Sequence, residues 1–191
     1  MKKLKIGIIG VGRLGYEHAC NIANRVPGSE LVAIADANFD RAKQVAEELG
    51  VTAVYNDPKA LCADPNVEAV AIITNTASHV EMIKIAMDAG KHVFCEKPDA
   101  VNVEEVMKMN DAAKAAGKTL MVMRNNRFTD ASKLAKKFID DGKMGEIYCG
   151  RCGWQRRRGI PGKGGWFTTK AQSGGGPLID LGVHMIDLAI W

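Results

Sequence analysis

The chain has 191 residues, 47% apolar and 25% charged, with a formal net charge of +4, a composition ordinary for a soluble globular protein of one or two domains. Lysine and arginine are scattered except at Arg156-Arg157-Arg158, so the basic stripe with interleaved aromatics that nucleic acid requires is missing. No segment approaches the roughly 18 apolar residues of a membrane span.

Strand and helix alternate over the first 123 residues. Lys5–Ile9 reads as a buried strand rather than part of a leader, because Arg13 and Glu17 interrupt the apolar run at once. Leu14–Arg25 follows as a helix, Glu30–Ala35 as a strand, Phe39–Leu49 as a helix and Thr52–Tyr55 as a short strand. Asp57-Pro58 opens another helix. Ala69–Ile73, Lys91–Cys95 and Thr119–Met123 are further strands, with helices at His79–Ala89 and Val103–Ala116 stopped by Gly90 and Gly117. Alternation at this spacing implies βαβ units. The expected fold is α/β, a Rossmann-type doubly wound parallel sheet over residues 1–123 and the opening of a second, α+β domain over 124–191.

Three motifs fall where such strands end. Gly10-Val-Gly12-Arg-Leu-Gly15 closes the first strand and opens the first helix, which suits a tight turn with bare backbone beside a pyrophosphate. Asp36 ends the second strand, where a carboxylate can accept both ribose hydroxyls. Ala37 and Asn38 bring no adjacent arginine for a 2′-phosphate, which favours NAD over NADP. The turn Thr74-Asn75-Thr76-Ala-Ser-His79 follows the fourth strand. It either touches the cofactor or simply caps the next helix through Ser78. Cys95-Glu96-Lys97-Pro98 ends the fifth strand, and Lys97 would project toward the nicotinamide unless the pair is a plain surface ion pair.

The pattern changes after residue 124. Ser132–Asp141 is expected to be a helix, Gly145–Gln155 a strand and Arg156–Gly176 a glycine- and lysine-rich loop. Cys149 and Cys152 would point to opposite faces of that strand, which disfavours a chelate or disulfide. Five dispersed cysteines suit the reducing cytoplasm. The final segment places Asp180, His184 and Asp187 on one face of a helix otherwise apolar nearly all round. Such a helix should be buried, and its polar stripe reads as one wall of a site.

The glycine fingerprint, Glu96-Lys97-Pro98 and the run Ser173-Gly-Gly-Gly-Pro-Leu-Ile-Asp180-Leu-Gly-Val-His184-Met-Ile-Asp187 together closely resemble the Gfo/Idh/MocA family of oxidoreductases, that of glucose–fructose oxidoreductase and inositol 2-dehydrogenase. The resemblance implies that Lys97, Asp180 and His184 are catalytic. It also implies that Gly10, Gly12, Arg13, Leu14, Gly15, Asp36, Thr74, Asn75, His79, Glu96 and Lys97 lie along the dinucleotide. Arg127 and Trp166 match substrate-side positions, and no metal is implied. Family members run considerably longer, with an open sheet that shapes the pocket and joins subunits. By that comparison the chain is truncated, and the apolar sides of its last helix are left exposed. The implied chemistry is hydride transfer between nicotinamide and a secondary alcohol of a sugar or polyol. His184 or Lys97 would accept the proton, and the two could exchange roles. A non-catalytic NAD-binding module is the alternative, as is a Rossmann reductase of another kind that would not need the Asp180/His184 stripe. A homo-oligomer is expected of the full-length form.

Overall fold

The computed structural model describes residues 2–155, 157–159, 168–173 and 175–191. They form two compact units, Met1–Val122 and Met123–Trp191.

The first unit is built from six strands, β1 (Leu4–Ile9), β2 (Ser29–Ala35), β3 (Ala53–Tyr55), β4 (Ala69–Ile72), β5 (His92–Cys95) and β6 (Leu120–Val122). All pair in parallel in the order β3-β2-β1-β4-β5-β6. This is the doubly wound order expected, and the direction in which successive strands are added reverses between β1 and β4. The helices between are α1 (Arg13–Asn24), α2 (Phe39–Leu49), α3 (Pro58–Ala63), α4 (His79–Asp88) and α5 (Val103–Ala116). Two apolar clusters cover the two faces of the sheet. Ile8, Ile34 and Ala71 pack with Ala19, Ala42 and Val45 on one side, and Ile9, Val70 and Ile72 pack with Leu61, Ile83, Met87 and Met109 on the other. Adjacent residues Ile8 and Ile9 fall in different clusters because successive side chains of a strand point to opposite faces.

Local chemistry sets the helix ends. Asn38, Asp57 and Asn102 accept from backbone N–H groups of the first turns they open. Gly50 and Gly117 take left-handed φ values of 69° and 60° to close α2 and α5.

The second unit contains a single turn at Asn125–Phe128, then α6 (Asp130–Asp140), α7 (Lys170–Ser173) and α8 (Val183–Ile190). Two expectations fail here. Gly145–Gln155 is not a strand but irregular, exposed chain, since among the described residues no neighbour offers the ladder of hydrogen bonds that defines β structure. The inference that Cys149 and Cys152 face opposite ways loses its basis with it; both are free, exposed thiols. The terminal helix is not buried all round, and its apolar sides are exposed as the length comparison implied: Leu178, Ile186 and Ile190 are 68%, 47% and 79% exposed, and within α8 only His184 is buried. Its first turn is widened, with Leu178–Gly182 wound as a π-helix, so Asp180 does not share the regular period of His184 and Asp187. Among the described residues no helix is long and apolar enough to cross a membrane. No group of three or more His, Cys, Asp and Glu there could hold a metal ion.

Candidate active site

The carboxyl ends of β1, β2, β4 and β5 meet where the strand order reverses, the edge at which sheets of this kind receive ligands. The glycine turn leaves β1 there. Gly10 has φ +90°, and a Cβ on it would lie 2.7 Å from the carbonyl oxygen of Ile73. A Cβ on Gly15 would sit 2.0 Å from the carbonyl oxygen of Gly10, so α1 can approach the turn only over a bare α-carbon. Gly12 differs: nothing lies within 4 Å of its Cβ position. It is the N-cap of α1 and supplies no side-chain cap, which leaves the positive end of the helix to an outside anion. Arg13 and Leu14 are exposed beside it.

Asp36, half-buried, closes this turn from β2. Its Oδ2 accepts from Val11 N–H at 2.7 Å and its Oδ1 from Asn38 N–H at 2.8 Å, which aligns the carboxylate with the glycine backbone. No arginine adjoins Asp36 in sequence, but Arg41 stands in the first turn of α2. Arg41 Nε donates to the Val11 carbonyl at 3.1 Å, and the guanidinium lies 5.1 Å over the ring of Tyr16. Arg41 therefore faces the same turn although it lies five residues after Asp36 in sequence.

Thr74 is half-buried and Asn75 exposed after β4. His79 is 1% exposed. Its Nδ1 donates to the Pro98 carbonyl at 3.0 Å, and its Nε2 lies 3.3 Å from the Thr74 carbonyl. The imidazole thereby staples the β4 turn to the β5 turn. Glu96 is 4% exposed. Its Oε1 accepts from His18 Nε2 at 2.9 Å and its Oε2 from the backbone N–H of Lys97 at 2.9 Å. Burial pushes this carboxyl upward, but the hydrogen bond and charge of His18, with the Lys97 contacts, outweigh it and hold it below its ordinary value. Glu96 is therefore a buried carboxylate rather than a surface one. Lys97 itself is half-buried at the same edge. His18 escaped the sequence reading, because a histidine on an amphipathic helix carries no signal until its partner is known.

In the second unit His184 is 8% exposed, with its ring 6.1 Å from that of Trp154 at a 50° tilt. Asp180 is half-buried in the widened turn. Asp187, the third member of the stripe, is taken up by arginines: Arg127 grips it through Nε at 2.7 Å and Nη2 at 2.5 Å, and Arg124 Nε lies at 3.3 Å. Arg127 also stacks 5.7 Å over Trp191. Both forks of Arg127 are thus committed to the terminal helix, a bidentate grip rather than an open substrate contact. Trp166 lies outside the described residues.

Residues 4–124 match the model of an oxidoreductase family with an NAD-binding Rossmann fold, and residues 132–191 match the GFO/IDH/MocA C-terminal domain. The chain belongs to the GFO/IDH/MocA oxidoreductase family. D-glucoside 3-dehydrogenase of Escherichia coli is 36% identical over 98% of this chain and 53% of its own length. The scyllo-inositol 2-dehydrogenase (NAD(+)) of Bacillus subtilis is 37% identical over 98% of this chain and 53% of its own. Among solved structures, the scyllo-inositol dehydrogenase of Lactobacillus casei with bound NAD(H) and scyllo-inositol superposes with a TM-score of 0.73 at 33% identity, over 76% of this chain and 43% of its own. The chain spans about half the length of the curated relatives it matches. Its first unit is the NAD-binding Rossmann fold of the family.

Proposed function

We propose that the protein oxidises a secondary alcohol of a sugar or polyol, or reduces the corresponding ketone, with NAD. The observation that carries this is the meeting of the glycine turn, Asp36 and Lys97 on one sheet edge at the point where strand order reverses. The open space at Gly12 and the uncapped start of α1 fit a pyrophosphate, and Asp36 fits an unphosphorylated ribose, which disfavours NADP. Gly10, Gly12, Arg13, Leu14, Gly15, Thr74 and Asn75 would line the dinucleotide, with Glu96 and His79 holding the turns that bear on it. Bound NAD supplies the hydride acceptor.

Lys97 then donates a hydrogen bond to the reacting oxygen and favours negative charge as it develops. His184 takes the hydroxyl proton, and Asp180 orients the imidazole or binds a neighbouring hydroxyl. Arg127 acts by fixing the helix that carries His184. Trp154 beside His184 offers an apolar wall suited to the face of a sugar ring. We place the protein in the cytoplasm and, in its full-length form, as an oligomer of like chains. Five free cysteines support the first assignment, and exposed Leu178, Ile186 and Ile190 support the second.

NADH fluorescence titration followed by a screen of inositols and glucosides for NADH production tests the proposal. Saturable binding with turnover that Lys97→Ala and His184→Ala lower by about 10² or more is the expected result. Absence of NADH binding, or full turnover in both variants, rejects it.

A further inference from the structure

An ionised carboxylate in a nearly closed site is a costly choice unless something requires it. Glu96 is such a group. Its own N–H is anchored on the Ile72 carbonyl at 3.0 Å, and one carboxylate oxygen holds the N–H of Lys97. The other oxygen reaches across to α1, where His18 stands one turn past Gly15. The His18 side chain is 16% exposed, and its ring is steadied by Phe94 at 5.8 Å. One carboxylate thus connects the helix that begins at the glycine turn with the backbone of the lysine at the end of β5. The far side of Lys97-Pro98 is fixed separately by His79 from α4. The charged groups that act on the Glu96 carboxyl are His18 from α1 and Lys97 from its own strand end, and Glu96 in turn acts with Asp99 on the buried Cys95 thiol.

We infer that His18 is a positioning residue for Lys97: through Glu96 it fixes the backbone from which the amine is presented, and ties that backbone to the dinucleotide-binding helix. The inference rests on the dehydrogenase reading for its purpose, but the brace itself can be measured without turnover.

The Lys97 amide, followed by NMR in the full chain, is the reporter. In the unaltered protein it is protected from exchange, and its shift follows a carboxyl titrating below 4.5. In His18→Gln the midpoint seen at Lys97 rises by about one pH unit or more, and protection falls about tenfold. In Glu96→Gln the titration disappears from the Lys97 amide, which keeps the test alive should the His18 variant fold poorly. Added NADH shifts the amides of Gly10 to Leu14 in both His18→Gln and the parent, whereas the response at Lys97 shrinks in the variant. An unchanged midpoint and protection in His18→Gln, or a titration that survives Glu96→Gln, overturns the inference. NADH that perturbs no amide of the glycine turn in any of the proteins defeats the dehydrogenase reading instead, while the Lys97 titration still judges the brace.

Discussion

Two alanine substitutions three residues apart in a single turn, at Gly12 and Gly15, should fail in opposite ways. Gly15→Ala places a methyl 2.0 Å from the Gly10 carbonyl oxygen, and that carbonyl has little freedom to retreat. Gly10 N–H is bonded to the Ala35 carbonyl at 2.8 Å, and the Gly10 Cβ position already meets Ile73 at 2.7 Å. Overpacking against backbone sits at the upper end of the range, about 3 kcal/mol, which lowers the melting temperature by about 6–12 °C in a chain of this size. Gly12→Ala meets nothing within 4 Å, and its φ of −60° suits any residue. The weaker N-cap preference of alanine and the reduced freedom of the unfolded chain offset one another to within about 0.5 kcal/mol. Gly12→Ala therefore melts within about 2 °C of the parent, yet loses at least about tenfold in NADH affinity, roughly 1.4 kcal/mol, because its methyl enters the space a pyrophosphate needs. Thermal melts and NADH titrations of both variants decide the matter. A Gly12→Ala protein that binds NADH normally, or that melts as early as Gly15→Ala, refutes the reasoning.

Asp36→Asn leaves one acceptor oxygen for two backbone donors and removes the charge; NADH affinity should fall about tenfold and its advantage over NADPH should shrink, read by parallel titrations. Asp187→Ala leaves Arg124 and Arg127 facing each other without their shared anion, so the melting temperature should drop by a few degrees, and an Arg127→Ala/Asp187→Ala double variant should lose less than the two single losses added together. Burial pushes the Cys62 thiol up from 9.0 to about 11, so the folded state resists an ionisation the unfolded chain undergoes. The stability this preserves is intact below pH 9.0 and is lost as pH rises toward about 11. Cys62→Ala should flatten that alkaline slope in urea melts taken at several pH values.

The first unit was legible because each of its signals was local. Helices α2 and α5 begin and end at the expected residues, α5 at its expected stop Gly117, and strand ends moved by a residue at most. The glycine turn and Asp36 were equally readable, since their spacing and their chemistry say the same thing. What escaped depends on partners distant in the chain. His18 acquires meaning only from Glu96, 78 residues away, and Arg127 only from Asp187, 60 residues away. The strand expected at Gly145–Gln155 failed for the same reason in reverse: alternation shows that a segment can pair, but a partner must be present for it to do so. Asp187 looked like a site residue because helical spacing records which face a side chain shares, not whether a neighbouring guanidinium has already claimed it.

The widened turn at Leu178–Gly182 makes the geometry around His184 sensitive to chain length in a way its composition hides. Excising one residue there would relax the segment into an ordinary helix at little cost to folding, yet it would swing Asp180 by about 100° around the axis. Selection on this stretch should accordingly tolerate exchanges of apolar side chains and resist single-residue deletions.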